Sequence, residues 1–326
     1  MLVDRFNRTH NYLRISVTDD CNFRCSYCMP DAHIRILPDL KLMQPHEIEE
    51  IARTFVDLGV TKIRLTGGEP LVRYNIDDII LRLGALPVEL TITTNGSRLR
   101  QMIGVFREAG IRSVNVSLDS LNPEVFAAIT RRDQFDQVWE NILLLLDNQI
   151  RVKINTVAVA GVIEKEIHDF IELTRDLPLH VRFIEFMPFA GNRWQSDQVV
   201  TAQQMLGMAG KNYDLVKLTD EPHATAKKYQ VPGYQGTIAF ITTMSDQFCG
   251  SCNRMRLTAD GKMKNCLFGR EETDILKAYR AGEPIETLIR ESVMRKYRSL
   301  GGQLINDYRQ VDPATIKNRS MIRIGG

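Results

Sequence analysis

Short runs in which apolar and polar residues alternate recur along the first 189 residues of the chain. A period of two is typical of β-strands, and runs with apolar residues at helical spacing lie between them. The predicted strands are residues 13–18, 62–66, 88–94, 113–119, 151–157 and 180–186. The predicted helices are residues 45–58, 76–83, 98–109, 135–146 and 165–175.

The predicted strands carry polar residues on one face. In the first strand, Leu13 and Ile15 alternate with Arg14, and later strands repeat this pattern. Strands buried on both faces of a parallel sheet would be apolar throughout. Repeated strand–helix units predict an α/β fold with a parallel sheet, either open or curved into a barrel. The polar faces predict a ligand cavity inside a barrel.

The alternation stops after Pro188, so we expect a first domain at residues 1–189 and a second at 190–326. Residues 191–228 are mixed in character, and residues 237–242 predict a further strand. The stretch 191–236 contains no recognisable motif. A coarse division into a barrel and a smaller α+β companion fits a chain of this length.

Composition narrows the class of protein. The 326 residues have a formal net charge of +2, which indicates no nucleic-acid partner. All six cysteines fall into two groups of three, and none stands alone as a disulfide candidate, which favours a reducing compartment. We find no secretory signal and no apolar run long enough to span a bilayer, so the sequence predicts a soluble, cytoplasmic protein.

The first cysteine trio, Cys21, Cys25 and Cys28, has the spacing C-x3-C-x2-C directly after the first strand. Thiolates are soft ligands that select zinc, Cu(I) or iron–sulfur clusters. Three thiolates leave open one position of a four-ligand centre, which is typical of a reactive metal site. A structural zinc site with a fourth ligand from elsewhere is the alternative, and the spacing favours the cluster.

The second trio, Cys249, Cys252 and Cys266, begins with a zinc-like C-x2-C pair. His223 is the only histidine near it in sequence and lacks a ligand-like spacing. Spacing alone leaves zinc and iron–sulfur open. A first trio that is also incomplete favours a second cluster with an open iron.

Other candidate residues lie on the polar strand faces. The chain has no phosphate-binding G-x4-G-K-[ST] loop. Side-chain cations, with arginine forks suited to oxygen pairs, lie on these faces at Arg14, Lys62, Arg64 and Lys153. The run T-G-G-E-P at 66–70 follows the second strand, where two glycines permit unusual dihedral angles and close approach to a ligand.

The first trio, with Tyr27 just before its last cysteine, resembles the radical S-adenosylmethionine (SAM) enzymes. The resemblance implies a partial (β/α)6 barrel. It also implies a [4Fe–4S] cluster on the three cysteines and SAM bound to the fourth iron. Electron transfer in that family cleaves SAM to a 5′-deoxyadenosyl radical. The implied SAM contacts are Tyr27, Gly68, Ser117 and Met187.

The C-terminal part resembles the GTP 3′,8-cyclase family, molybdenum cofactor biosynthesis protein A. The shared features are C-x2-C-N-R-x-R at 249–256, a third cysteine 14 residues after the second, and a Gly-Gly end. The resemblance implies a C-terminal domain that closes the barrel opening and carries a second [4Fe–4S] cluster. The implied GTP contacts are Arg14, Lys62, Arg64, Thr93, Lys153, Arg254, Met255 and Arg256. The implied catalytic residues are Arg254, Arg256, Gly325 and Gly326.

The implied reaction converts GTP to (8S)-3′,8-cyclo-7,8-dihydroguanosine 5′-triphosphate, the first step of molybdenum cofactor biosynthesis. The implied partners are a reducing electron donor and a downstream cyclic pyranopterin monophosphate synthase, with no nucleic acid or membrane. The chain is expected to be a monomer or homodimer. Spacing does not separate Thr93 from Thr94 as the nucleotide contact, although the strand face favours Thr93. The rivals are a peptide-modifying radical SAM enzyme and a zinc-stabilised binding protein.

Overall fold

A computed structural model describes residues 1–30, 36–305 and 307–325. Six strands alternate with helices in its first part, as predicted. The strands are β1 (Tyr12–Ser16), β2 (Lys62–Thr66), β3 (Glu89–Thr94), β4 (Ser113–Ser117), β5 (Arg151–Ala158) and β6 (His180–Glu185). The helices are α1 (Pro45–Asp57), α2 (Ile76–Gly84), α3 (Ile103–Glu108), α4 (Pro123–Thr130), α5 (Phe135–Asp147) and α6 (Ile163–Asp176).

The helix ends follow local signals. Pro45 begins α1, and Gln44 and Glu47 form a reciprocal capping box there, while Gly59 has the positive φ of 103° expected just beyond a helix. Helix α4 is the one element of this part that the apolar pattern does not predict. It has eight residues, too few for a clear helical period. Its local start signals are Pro123 in the first turn and the Asn122 side chain, which accepts hydrogen bonds from the first backbone amides.

The C-terminal part adds six strands and four helices within the described ranges. The strands are β7 (Val216–Lys217), β8 (Ala226–Gln230), β9 (Thr237–Ile241), β10 (Arg254–Leu257), β11 (Lys262–Lys264) and β12 (Thr273–Asp274). The helices are α7 (Ala202–Ala209), α8 (Ile275–Arg280), α9 (Ile285–Met294) and α10 (Met321–Ile324).

All twelve strands form one sheet in the order β12-β11-β10-β1-β2-β3-β4-β5-β6-β9-β8-β7. Strands β1 to β6 are parallel and adjacent in chain order. Strand β10 continues the parallel sheet beside β1, and β9 continues it beside β6. The outermost strands do not pair with each other, so the barrel is partial. The prediction of a partial (β/α)6 barrel with an α+β C-terminal part is confirmed.

The apolar and polar strand faces separate as predicted. Leu13, Ile63 and Ile154 are fully buried in the main hydrophobic core. Strand register places Arg14 beside both Arg64 and Arg256. Because side chains alternate faces with a period of two, this register gathers the basic residues on the face opposite the core.

Among the described residues, no helix has both the length and the apolar character needed to cross a lipid bilayer.

Candidate functional site

The first cysteine loop forms one wall of a cavity at the carboxyl ends of β1 to β6. Its other walls come from strand ends and from the C-terminal helix α10. Of the residues and motifs singled out in the sequence, those that line this cavity are Cys21, Cys25, Tyr27, Cys28, Thr66, Gly67, Gly68, Glu69, Thr93, Thr94, Ser117 and Met187. The fold therefore brings the first trio and all four predicted SAM contacts to one place.

Helix α4 holds the cysteine loop in position. The amide of Arg24 donates to the carbonyl of Thr130, and the amide of Ser26 donates to that of Ile129, both at 2.9 Å. The Arg132 side chain donates to the Asn22 carbonyl at 2.8 Å. The helix that the sequence pattern missed thus fixes the loop that the cysteine spacing identified.

The three thiols suit a multinuclear iron–sulfur centre. Burial and the neighbouring Glu69 charge raise the pKa of Cys21 to about 12, and burial raises that of Cys28 to about 12 with a further contribution from Cys21. A bound metal would reverse both effects, because it deprotonates its thiol ligands. In the described ranges, no group of three His, Cys, Asp or Glu residues is suited to a single metal ion. Three soft donors around one cavity fit a [4Fe–4S] cluster with an open iron.

Gly67 and Gly68 pack against the protein's own backbone. A Cβ atom on Gly68 would lie 2.2 Å from the Asp20 carbonyl oxygen, and one on Gly67 would lie 2.8 Å from that of Thr18. The Gly68 amide donates to Thr18 at 2.8 Å. Neither glycine has a positive φ. A left-handed conformation is therefore not what requires glycine here: the absence of a side chain lets the β2 turn support the loop that enters the cysteine motif.

Two buried carboxylates beside the cavity were not identified from the sequence. Glu69 accepts hydrogen bonds from the Thr94 hydroxyl at 2.8 Å and the Asn95 amide at 2.6 Å, and burial raises its pKa to about 7. Asp119 accepts from the Tyr27 hydroxyl at 2.7 Å, and burial raises its pKa to about 6. Glu69 belongs to the T-G-G-E-P run, whereas Asp119 ends a predicted strand and gave no separate signal.

The second trio lies at the opposite end of the strands. Cys249, Cys252 and Cys266 line one cavity together with Arg254 and Arg256. Strand β10 begins directly after Cys252 and runs parallel to β1, so this cavity is at the amino ends, whereas the first trio follows the carboxyl end of β1. A five-residue strand spans roughly 13 Å. The space between the two trios is lined by the polar face of the sheet.

Nitrogen donors surround the sulfurs of the second trio. Lys296 Nζ is 3.4 Å from Cys252 Sγ, and Arg254 Nη2 is 3.7 Å from it. The Leu300 amide is 3.4 Å from Cys249 Sγ. Burial by itself raises the pKa of Cys252. The charges of Arg254 and Lys296 outweigh this effect and lower that pKa to about 6. These donors stabilise thiolates, so this trio also fits a metal centre.

His223 provides no evident fourth ligand for that trio. Its Nδ1 atom is 2.8 Å from the Ser251 carbonyl oxygen, so the ring is near the trio in space but engaged with the backbone. This histidine therefore gives no reason to prefer zinc over an iron–sulfur cluster at the second trio.

Buried and half-buried cations occupy the polar face between the two trios. Arg182 on β6 joins the predicted Arg14, Arg64 and Lys153, and the sequence analysis had missed it. Several buried polar atoms on this face have no hydrogen-bond partner among the described residues: Arg14 Nε, Arg64 Nε, Thr93 Oγ1, Asn115 Nδ2 and Oδ1, Asn155 Oδ1, and Arg182 Nε and Nη2. Unpartnered buried polar atoms are rare in folded proteins, so this face is built for a polar ligand.

The cations lower one another's pKa values. Burial, Arg182 and Arg64 lower the pKa of Lys153 to about 7. Burial and Arg64 lower that of Arg182 to about 9, and burial and Arg254 lower that of Arg256 to about 10. Each charged form is thus disfavoured in the free protein. An anionic ligand would favour the charged forms and supply the missing partners.

Two predicted contacts, Lys62 and Met255, differ from this group. Lys62 is paired with Glu89 at 2.7 Å. Met255 is 1% exposed and its side chain belongs to the main hydrophobic core, so the fold does not bring this side chain to the polar face. The Thr94 hydroxyl is bound to Glu69, whereas that of Thr93 is unpartnered, and this geometry favours Thr93 over Thr94.

The C-terminal segment reaches the site. Met321 and Ile322 line the first cavity. The Gly325 carbonyl accepts a hydrogen bond from Arg256 Nη1, and Gly325 has a φ of 85°. Gly326 lies outside the described residues. Arg256 and Gly325, two of the predicted catalytic residues, are therefore in contact.

Two family models match consecutive parts of the chain. The model described as "Radical SAM superfamily" matches residues 15–174. The model described as "Molybdenum Cofactor Synthesis C" matches residues 179–300.

Similar proteins carry related names. "Molybdenum cofactor biosynthesis protein 1" of Mus musculus is 45% identical, and the match covers 99% of this chain and 51% of that protein. "GTP 3′,8-cyclase, mitochondrial" of Arabidopsis thaliana is 43% identical, with 100% and 84% covered. "GTP 3′,8-cyclase" of Desulforamulus reducens is 41% identical, with 86% and 88% covered. The chain spans about half the length of the first of these relatives.

Solved structures resemble the fold. "Crystal structure of Streptococcus suis SuiB" superposes with a TM-score of 0.63 at 13% identity, covering 92% of this chain and 69% of that one. The same protein "bound to S-adenosylmethionine" gives a TM-score of 0.57 at 13% identity, covering 86% and 68%. Likeness at this identity concerns the fold alone.

The packing of Gly68 leads to a first prediction. Gly68→Ala should destabilise the metal-free protein by about 1–3 kcal/mol, because the new methyl group overlaps the Asp20 carbonyl. It should also reduce iron binding at the first trio, since the carbonyl belongs to the residue before Cys21. Urea denaturation and iron analysis measure the two effects. Gly104→Ala is the matched control, because nothing lies within 4 Å of a Cβ there; equal behaviour of the two variants would contradict the prediction.

Proposed function

Because the chain belongs to the GTP 3′,8-cyclase family of radical SAM proteins, we propose that it converts GTP to (8S)-3′,8-cyclo-7,8-dihydroguanosine 5′-triphosphate. This is the first step of molybdenum cofactor biosynthesis. The observation that carries the proposal for this chain is the set of arginines between the two cysteine trios whose buried nitrogens have no partner among the described residues. A nucleoside triphosphate has the charge and the oxygen donors that this set lacks.

The cofactors are two [4Fe–4S] clusters and SAM. One cluster would be held by each cysteine trio. The cluster at the first trio, with SAM bound to its open iron and an electron from the external donor, would supply the 5′-deoxyadenosyl radical chemistry for closing the bond between ribose C3′ and guanine C8 of GTP. The residues of the chain bind, orient and shield the reactants. Tyr27, Gly68, Ser117 and Met187 line the SAM side of the cavity, and exclusion of water there protects the radical.

The triphosphate is held by side chains. Arg14, Arg64 and Lys153 were assigned from the sequence, and Arg182 joins them because it lies on the same strand face with unpartnered nitrogens. Arginine suits pairs of phosphate oxygens. Lys62 has Glu89 as a partner at 2.7 Å, so it contributes to binding only if the phosphates compete with that carboxylate. Thr93 offers the cavity a free hydroxyl.

In this proposal the second trio would hold a cluster whose open iron would bind the guanine end of GTP. Arg254 and Arg256 line that cavity and stabilise negative charge on reaction intermediates. The Gly325 carbonyl orients Arg256 through their hydrogen bond. Met255 contributes through its backbone, since its side chain is in the core.

A peptide-modifying radical SAM enzyme is the rival function. The likeness to SuiB, which has a structure "bound to precursor peptide SuiA", concerns the fold only. Peptide recognition does not require four cations on one face of the sheet. The charge of the polar face therefore favours the nucleotide.

The setting of the reaction belongs to the proposal as well. The proposed partners are an external electron donor and a downstream cyclic pyranopterin monophosphate synthase. The proposed domains of the chain are residues 1–189 and 190–326. We propose a cytoplasmic location, although the Arabidopsis relative is named mitochondrial. A monomer and a homodimer are both compatible with it.

The function is tested on anaerobically reconstituted protein. We expect about eight iron atoms per chain, little zinc, and GTP-dependent formation of 5′-deoxyadenosine and the cyclised nucleotide, followed by mass spectrometry. Arg182→Gln should weaken GTP binding at least tenfold, because it removes a buried charged donor. Arg107→Gln, an exposed arginine far from the cavity, is the control. If SAM is cleaved but GTP is not consumed, the assignment of radical SAM chemistry stands and the assignment of GTP as the substrate is refuted.

A pH dependence follows from Lys153. Its pKa is lowered to about 7 in the free protein, and a bound triphosphate raises it, so GTP binding takes up a proton. The affinity for GTP should therefore be greatest below pH 7 and fall as pH rises, by up to about tenfold per pH unit. Calorimetry from pH 7 to 8.5 measures this, a range in which the phosphates are mostly ionised. Lys153→Met should flatten the profile and Lys165→Met should not; parallel profiles would contradict the assignment.

The role of the C-terminal end gives another prediction. Gly325→Ala should reduce cyclase turnover at least tenfold, because its Cβ would lie 2.7 Å from Ser16 Cβ and displace the carbonyl that binds Arg256. Gly233→Ala is matched for backbone strain, since both glycines have a φ of 85° and the space around Gly233 is open. Deletion of residues 325–326 should have at least the effect of Gly325→Ala. Full turnover after either change would refute a catalytic role of the tail.

A further inference from the structure

A buried polar network joins the N-terminal segment to the second cysteine trio. Its members are Asp4, Arg8, His10 and Lys296, which are 3%, 7%, 0% and 2% exposed. Arg8 Nε is 2.7 Å from Asp4 Oδ2, and His10 Nε2 is 3.1 Å from the same oxygen. These groups lie outside the cavity lining described above, and the proposed reaction gives them no role.

Lys296 is the member that reaches the sulfur. Its ammonium is 2.9 Å from the Arg254 carbonyl, 3.4 Å from Cys252 Sγ and 3.5 Å from His10 Nδ1. An ammonium has three N–H donors and no acceptor, so each donor has one acceptor. The position of the charge next to Cys252 is therefore fixed from three directions.

His10 takes part as a neutral ring. Burial and the Lys296 charge lower its pKa to about 4, so it is uncharged at neutral pH. The Nε2 hydrogen then donates to Asp4, and Nδ1 accepts from Lys296, which is the tautomer its two partners require. The Asp4 carboxylate thereby orients Lys296 through the imidazole ring.

Arg8 supports the other cysteine of the pair. Its Nη1 atom is 2.8 Å from the carbonyls of Cys249 and Arg298, and Nη2 is 2.8 Å from that of Tyr297. The carboxylate of Asp4 balances the charge of Arg8. The charge of Lys296 has no carboxylate partner in the described ranges.

A buried cation without an anion is strongly destabilising, so the Lys296 ammonium needs a negatively charged group in contact with it. The Cys252 sulfur is the one candidate that it contacts. We propose that Lys296 is a positioning residue of the second metal centre, whose ammonium balances the charge of that centre and raises its reduction potential. This rests on the proposed function, which places an iron–sulfur cluster at this trio.

The electrostatic reason is simple. A cluster held by thiolates becomes more negative when it gains an electron. A fixed positive charge and an N–H···S hydrogen bond stabilise the reduced form more than the oxidised form, and such contacts are known to set cluster potentials. Removal of the charge should therefore lower the potential of the second cluster and leave the first, at the other end of the strands, unchanged.

The test compares Lys296→Met, which keeps the length and loses the charge, with Lys296→Arg, which keeps the charge. Both are measured as reconstituted holoenzyme without SAM or GTP, in a redox titration followed by electron paramagnetic resonance. In Lys296→Met, the ratio of reduced to oxidised second cluster at a fixed ambient potential should fall about tenfold, which is about 59 mV for one electron. Lys296→Arg and the exposed control Lys277→Met should retain the wild-type ratio, and the first cluster is the internal reference.

Three results would overturn the inference: an unchanged second cluster in Lys296→Met, an equal shift of both clusters, or the same shift in Lys296→Arg. If Lys296→Met does not bind a cluster at the second trio, the iron contents of Lys296→Gln and Lys296→Arg are compared instead. A second cluster in Lys296→Arg but not in Lys296→Gln supports a charge effect, and equal iron contents contradict it.

Failure of the proposed function can be distinguished from failure of the inference about Lys296. Zinc at the second trio of the wild-type protein would refute the second cluster. Chelator competition would then test Lys296 directly, because a thiolate site that loses its balancing cation should release zinc faster. Faster release from Lys296→Met than from Lys277→Met supports the inference, and equal rates overturn it.

Discussion

Uncompensated positive charge inside the protein is the constraint on which the site depends. Arg14, Arg64 and Arg182 each have buried nitrogens without partners on the polar face of the sheet, and each has charged neighbours of the same sign. Desolvation and mutual repulsion both oppose this arrangement. The apolar core on the opposite face of the same strands must offset it, and a polyanionic ligand would remove most of the penalty.

The parallel sheet makes this arrangement possible. Each strand places apolar residues under the helices and polar residues in the cavity, so one element serves both the core and the site. Because β10 runs parallel to β1, one trio precedes the amino end of the pair and the other follows its carboxyl end. The two candidate metal centres therefore face each other across the cations, at a separation set by strand length.

The sequence predicted most of the fold because period-two alternation and cysteine spacing are local signals. It could not predict α4, whose eight residues are too few for a clear period. Arg182 was missed because a single basic residue on a strand is usually a solvated one. Lys296 and Asp119 depend on contacts between distant segments, such as Lys296 with His10, and no local pattern encodes these. The glycines at 67 and 68 were recognised as lying near a ligand, but their close packing against the backbone of Thr18 and Asp20 was not.

Residues near the amino terminus contact the C-terminal segments that surround the second cysteine trio. Arg8 and His10 come from the segment before β1, yet they support Cys249 and Lys296 beside the second trio. Strand β10 also takes its register from β1. A C-terminal segment alone would leave Lys296 without His10 and an edge strand without its partner. The second centre is therefore assembled by the whole chain, and its metal binding must be linked to folding of the N-terminal part.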